Sequence, residues 1–250
     1  MRRYLFVGIA LIVPVLALTA FVASGSQLSP AAAPIEVGSA LGGVNAVEYV
    51  GRVDQNGGSF TSFGYLTRIS GLTDTLLFSG TLPLVSGNET NAHFTFHTLA
   101  NLTSRYVITY SATGVFTSSV FVIDAVGTTV YYYNPTPAGS FSNPASFTAG
   151  TPIVTATVRS QNILNVQGPN VGVSTNLADF SQTGVSPFTI NGQTYQLGRL
   201  FLMERLYSTG EGIRTNPVTP TSFTVVAGNA VVTGIPGQQN FMPLVVHNGP

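Results

Sequence analysis

Short runs in which apolar and polar residues alternate, separated by turn-forming residues, constrain the fold of this chain most. Val47, Tyr49 and Val53 alternate with charged residues, which is the period expected of a β-strand with one buried face. The pairs Asn56-Gly57 and Asn191-Gly192 follow such runs, and both residue types tolerate the positive φ angles of tight hairpin turns. The sequence therefore predicts antiparallel strands joined by short hairpins.

Further strands are predicted wherever β-branched and aromatic residues cluster between glycines, prolines and asparagines. They cover residues 60–69, 92–99, 105–112, 115–124, 128–134, 153–166, 177–183, 188–190, 194–197, 199–208, 223–227 and 230–233. The proline-rich segment 135–152 is predicted to be a long loop or lid. No internal repeat and no second core are visible in the sequence, so we expect one antiparallel β domain over residues 44–236. Such a sheet has to hide its edges, which favours a single β-barrel, with a two-sheet β-sandwich as the alternative.

The N-terminus has the features of a signal peptide. Two arginines precede the apolar segment 4–23, and the small residues at 23–25 form a typical cleavage site. We therefore predict a signal-peptide helix over residues 1–25, a flexible mature N-terminus over 26–43 and a C-terminal tail over 237–250. The alternative is an uncleaved anchor, because about 20 apolar residues can span a bilayer. In both cases we expect a secreted or envelope-associated bacterial protein, which meets the membrane only through this segment and only if the segment is not cleaved.

The chain carries unusually few charges. Asp, Glu, Lys and Arg make up 7% of its 250 residues, whereas about 25% is typical of globular domains. All nine basic residues are arginines, so a phosphate-binding loop that depends on lysine is excluded, and the sequence shows no basic run suited to nucleic acids. The chain also lacks cysteine, which excludes disulfides and thiolate metal sites. A surface with so few charges favours self-association.

Glu204 is the most conspicuous candidate for a ligand site. In a strand over residues 199–208 it would share one face with leucines. This predicts a buried carboxyl group whose pKa is raised unless an arginine pairs with it. Arg68, Arg105 and Arg159 are the possible partners, and an arginine beside Glu204 would form the polar floor of a pocket.

Pairs of tyrosines and histidines are the other candidates. Tyr131 and Tyr133 share one face of a predicted strand, so they could stack against a sugar or belong to the core. His93 and His97 also share a face, but at about 3.3 Å per residue they lie roughly 13 Å apart and cannot bind one ion together. No Gly-x-Ser-x-Gly motif or other catalytic grouping is visible. We therefore predict no metal site, no cofactor and no catalytic residue, and a ligand site formed by Glu204, Arg68, Arg159, Tyr131 and Tyr133.

Four segments of the sequence resemble exported bacterial all-β proteins that have no assigned function. They are residues 47–55, 64–67, 161–167 and 209–212, and the resemblance extends over most of the mature chain. The closely spaced hairpins and the late glycine-rich strand are also similar to the barrels of allene oxide cyclase and the dirigent proteins. This second resemblance implies a barrel fold, and no functional residue of those families can be matched to a position of this sequence.

Three functions remain open at this point. The low charge and the Ser/Thr/Asn-rich composition favour a non-enzymatic protein that acts through its surface in adhesion, assembly or matrix formation. The first alternative is a barrel that binds a small apolar ligand, which an internal cavity larger than about 300 Å³ would favour. The second is a barrel enzyme of the cyclase or carbohydrate-active type, which needs two titratable side chains converging in one cleft.

Overall fold

A computed structural model describes residues 33–38, 43–80, 87–112, 116–168, 170–216 and 221–234. These residues are nearly all β, with eleven strands, one short α-helix and one 3-10 helix. The elements are β1 (Ile35–Val37), β2 (Asn45–Asn56), β3 (Ser59–Ile69), α1 (Asp74–Leu77), β4 (Phe94–Ala112), β5 (Phe116–Tyr133), the 3-10 helix (Pro144–Thr148), β6 (Thr151–Val166), β7 (Val171–Val185), β8 (Phe188–Ile190), β9 (Gln193–Leu197), β10 (Met203–Asn216) and β11 (Thr221–Gly234). None of the described helices is long and apolar enough to cross a bilayer. The predicted signal segment 1–25 and tail 237–250 lie outside the described residues.

Eight of the strands form one antiparallel sheet that closes into a ring. Its order is β2-β3-β4-β5-β6-β7-β10-β11, and β11 pairs with β2 to complete the circle. β1, β9 and β8 form a second, small sheet in which β1 and β9 run parallel. The predicted antiparallel all-β class is confirmed, and the eight strands belong to one closed sheet.

The two predicted hairpin turns are confirmed. Gly57 joins β2 to β3 with a φ of 62°, and Asn191 and Gly192 join β8 to β9 with φ values of 51° and 81°. These are left-handed conformations, which glycine and asparagine adopt at little cost. The turns bring neighbouring strands into register, as in the pairing of Asn56 with Ser59.

Several predicted strand boundaries are wrong. The four segments predicted between 92 and 134 are two long strands, because β4 absorbs a register shift between Leu102 and Ser104 and continues. β11 runs straight through Gly228, although separate strands were predicted over 223–227 and 230–233. Within the predicted flexible segment 26–43, Ile35–Val37 forms β1.

One end of the ring is covered by the small sheet. Phe188 of β8 packs against Phe94 and Tyr133, with ring centroids 5.3 and 5.2 Å apart, and Tyr195 of β9 stacks on Phe188 at 6.0 Å. The backbone N–H of Gly38, next to β1, donates to the carbonyl of Ser70 at 2.8 Å. We call this the plugged end. The opposite end, where β2 turns into β3 and β6 into β7, is the mouth.

The segment between β5 and β6 covers the outer face of the ring rather than its mouth. Its Phe147 is fully buried, with its ring 5.4 Å from that of Phe63 and 5.1 Å from that of Phe141. The Thr95 hydroxyl donates to the carbonyl of Phe147 at 2.7 Å. The loop predicted over 135–152 is therefore present, but it packs against β3 and β4 and does not act as a lid.

β4 extends beyond its neighbour β3 at the mouth. In the part of the chain that the structure describes, its residues 103–112 pair only with β5, so the other edge of this stretch carries unpaired backbone groups. Tyr106 and Ile108 are each 63% exposed there. We call residues 103–112 the β4 edge.

Candidate functional site

The ring encloses a cavity of about 150 Å³ to which all eight strands contribute side chains. Every residue that lines the cavity is uncharged. The larger apolar side chains are Phe60, Phe96, Ile123, Leu164, Phe180 and Leu206. Hydroxyl and amide groups are interspersed among them, from Tyr49, Thr98, Thr129, Tyr131, Asn162, Asn176 and Ser208. The interior can therefore accept an apolar body and offer it several hydrogen bonds.

Two glycines shape this interior around Phe96. A Cβ atom at Gly51 would lie 2.8 Å from Cζ of Phe96, and one at Gly64 would lie 2.9 Å from its Cε1. Side chains at these positions would clash with the ring, so glycine lets Phe96 lie directly on the backbone of β2 and β3. Tyr49 meets the same ring edge-on at 5.4 Å. These contacts fix the aromatic wall of the cavity.

A larger cavity of about 580 Å³ occupies the mouth. It is bordered by the turn at Gly57 and by the ends of β6, β7, β10 and β11. The residues that line both cavities are Gln55, Ile123, Leu164, Ser222 and Thr224. The two cavities are therefore neighbours inside the ring.

Glu204 lies on the inner face of β10 towards the plugged end and is 2% exposed. Its predicted burial is confirmed. Burial raises the pKa of Glu204 to about 7, although a hydrogen bond from Gln182 works in the opposite direction. Gln182 Nε2 donates to Glu204 Oε2 at 3.4 Å. Among the described residues the partner of this carboxyl group is thus an amide, where the sequence suggested an arginine.

Gln182 has one polar atom without a partner. Its Oε1 is buried and accepts no hydrogen bond from any described residue. A half-turn of the amide would exchange Oε1 and Nε2, and Oε1 could then accept the proton of a neutral Glu204. The Gln182–Glu204 pair can therefore form a hydrogen bond in both protonation states of the carboxyl group.

Tyr131 connects Glu204 with the cavity. It lines the cavity and is buried, and burial together with the nearby charge of Glu204 raises its pKa well above the ordinary value. Tyr49, which also lines the cavity, forms a hydrogen bond with Ser208 of β10. These side chains place neutral hydroxyl groups at the inner end of the cavity.

The other predicted ligand residues lie elsewhere. Tyr133 packs between Phe94 and Phe188 at the plugged end and does not line the cavity. Arg68 is exposed and pairs with Glu48 at 3.4 Å. Arg159 is exposed on the outer face of β6, opposite Asp179 of β7. The structure therefore brings together Glu204 and Tyr131 from the predicted set.

The two histidines are not arranged to bind a metal. His93 Nδ1 lies 2.8 Å from the carbonyl oxygen of Asn134, and burial lowers the pKa of His97. Within the described ranges, no group of three His, Asp or Glu side chains could hold an ion.

Sequence reasoning missed the role of Arg214 and misplaced Arg105. Both arginines line the mouth. Arg214 lies an even number of residues after Glu204 on the same strand, so the period of two places it on the inner face as well. Extending that period through β10 could have identified it from the sequence.

Comparisons with known protein families, with curated proteins and with solved structures found no match for this chain. The resemblances to exported bacterial proteins and to allene oxide cyclase or dirigent barrels remain predictions.

Proposed function

We propose that the ring is a β-barrel that binds a small, mainly apolar molecule in its interior. The observation that carries this proposal is the uncharged cavity lined from all eight strands and adjoining the mouth. An apolar cavity of about 150 Å³ holds a molecule the size of benzene, whereas ligand pockets usually measure about 300–1,000 Å³. The interior of about 150 Å³ therefore takes one part of the ligand, and the mouth cavity of about 580 Å³ takes the rest.

Binding is better supported than catalysis. A carboxyl group with a pKa of about 7 suits general acid–base chemistry, and Tyr131 stands beside it. Glu204 itself, however, does not line the cavity and is covered by its neighbours. Of the two side chains, only Tyr131 can therefore contact a bound molecule. We also propose that the barrel acts outside the cytoplasm, which is supported by the signal-like N-terminus.

Filling the cavity should abolish binding. Ala125 is buried and lines the interior, so we expect Ala125→Phe to weaken the binding of the neutral fluorescent probe N-phenyl-1-naphthylamine more than tenfold. Fluorescence titration of the purified protein measures this effect.

Val126→Phe is the matched control. Val126 follows Ala125 in the sequence and is 44% exposed, so this substitution adds the same aromatic ring on the outside of the barrel. We expect this variant to bind the probe like the wild type. If Ala125→Phe binds the probe as tightly as the wild type does, the probe binds elsewhere. That result would argue against an interior site.

Association through the surface is a second candidate function, and the β4 edge favours it. An edge with unpaired backbone groups and exposed apolar side chains can add a strand from another chain. This agrees with the role in assembly or adhesion that the low charge of the sequence suggests.

Replacing an exposed apolar side chain of the β4 edge should weaken self-association. Burying an isoleucine contributes about 1.5–3 kcal/mol, so we expect Ile108→Lys to raise the dissociation constant of a self-associated form at least tenfold. Sedimentation velocity over a concentration series measures this dissociation constant. Thr109→Lys, which adds the same charge at the next position without removing an apolar group, should have a smaller effect. A wild type that stays monomeric throughout would exclude assembly through this edge.

A further inference from the structure

The ion pairs of the described residues leave a particular set of arginines without a carboxylate. Arg52, Arg68, Arg199 and Arg205 each pair with an Asp or Glu side chain. The remaining described arginines, Arg105, Arg159 and Arg214, have no such partner among the described residues.

Two of these three arginines face the inside of the barrel at its mouth. Arg105 lies opposite Ile123, and Arg214 lies opposite Ser222. Ile123 and Ser222 both line the interior, and residues opposite each other in an antiparallel pair share a face. Both arginines also line the mouth cavity. Arg159 differs, because it lies on the outer face of the ring, opposite Asp179.

The mouth therefore carries positive charge without compensation. The residues that line it include these two arginines and no aspartate or glutamate. The guanidinium of Arg105 lies 4.7 Å from the centroid of the Phe121 ring, a contact that restricts its position. Deeper inside the barrel than the mouth cavity, every residue that lines the interior is uncharged. The cavity thus has a cationic entrance and a neutral body.

We propose that the ligand is an amphiphile with an anionic head, whose apolar part occupies the barrel interior while Arg105 and Arg214 bind its carboxylate or phosphate at the mouth. This inference rests on the proposed function. Guanidinium groups bind such heads with two parallel hydrogen bonds, and the cationic mouth also attracts them from solution.

The opposite orientation is unfavourable. A head at the inner end would lie near Glu204 and Tyr131, and the lining there offers no cation to an anion. An anionic group and an ionised carboxyl would repel each other in a site that excludes water. The uncharged end of the ligand is therefore the end that enters first.

A comparison of decanoate with decanol tests the inference, because the two molecules share a chain and differ in the head. The affinity of each molecule is measured by how well it displaces N-phenyl-1-naphthylamine from the full-length protein. The titrations are done at low salt and pH 8, where decanoate is ionised. We expect decanoate to bind about tenfold more tightly than decanol, since hydrogen bonds to an ionised head are stronger than hydrogen bonds to a neutral one. Arg105→Gln and Arg214→Gln should each remove most of this preference, because each weakens the binding of decanoate more than that of decanol. Arg159→Gln is the matched control and should behave like the wild type.

The outcomes separate the inference from the function on which it rests. Equal affinity for decanoate and decanol, or a preference that survives both mouth variants, would overturn the anionic-head assignment while leaving an apolar site in place. If Arg159→Gln reduces the preference for decanoate as much as the two mouth variants do, the preference comes from the overall charge of the protein. That result would also overturn the anionic-head assignment. If neither molecule displaces the probe and the probe itself does not bind, the proposed ligand-binding function fails.

Discussion

We expect Phe147→Ala to lower the free energy of unfolding by about 3–5 kcal/mol, the usual cost of removing a fully buried phenylalanine. Phe147 is 0% exposed and contacts the rings of Phe63 and Phe141. It attaches the segment between β5 and β6 to the outer face of β3. Its removal leaves a cavity and exposes Phe63, so the transfer term and the cavity term both destabilise the fold.

Urea unfolding followed by circular dichroism measures this loss. Phe201→Ala is the control, because Phe201 is 60% exposed and its truncation should change stability by less than about 0.5 kcal/mol. If Phe147→Ala were as stable as Phe201→Ala, the segment would not be held by this contact.

The case of Phe147 shows where the sequence stops being informative. The prolines of segment 135–152 correctly predicted a loop. A period of two assigns Phe63 to the outer face of the ring, where exposure is expected. Its burial depends on a ring more than 80 residues away in sequence, and only the folded arrangement brings the two together. Local pattern therefore predicted the strand and the loop, and could not predict that the loop covers the strand.

Glu204 shows the same division within the site. Alternation around Leu206 predicted that its side chain points inward and is buried. Its partner Gln182 comes from β7, which pairs with β10 although β8 and β9 lie between them in sequence. Strand order of this kind is set by how the sheet closes, so the sequence suggested an arginine partner and missed the amide.

The start of β10 was also misplaced for a physical reason. Leu200 and Phe201 are exposed, and Phe201 has a φ of 64°. Because this left-handed conformation is not extended, the strand begins only at Met203. Leu202 is fully buried, but in a separate cluster with Ala46 and Val232. The strong apolar content and the length of segment 199–208 indicated one strand, although the segment consists of a turn followed by a strand.

The buried carboxyl group also leads to a prediction with a large effect: Glu204→Gln should be more stable than the wild type at pH 8 by about 3 kcal/mol. The pKa of Glu204 is about 7 in the folded protein and about 4.5 in the unfolded chain. Between these values the folded state holds a proton that the unfolded state has released. The wild type therefore loses most of this stability as the pH rises from about 4.5 to 7 and loses little more above it.

Glutamine removes this dependence because it is neutral throughout. Its amide can also donate to Gln182 Oε1, which has no hydrogen-bond partner among the described residues of the wild type. His97 acts in the opposite sense, because burial lowers its pKa and makes stability rise with pH in the range below its ordinary value. His97 is present in both proteins, so the difference between their unfolding curves isolates Glu204.

Urea unfolding at pH 5, 6, 7 and 8 tests this prediction, with Glu211→Gln as the matched control because Glu211 lies exposed on the same strand. The stability of Glu204→Gln relative to the wild type should grow across this series, whereas that of Glu211→Gln should stay nearly constant. Parallel curves for Glu204→Gln and the wild type would mean that the carboxyl group titrates as it does in the unfolded chain. That result would contradict its burial next to an uncharged amide, since such a site stabilises the protonated form.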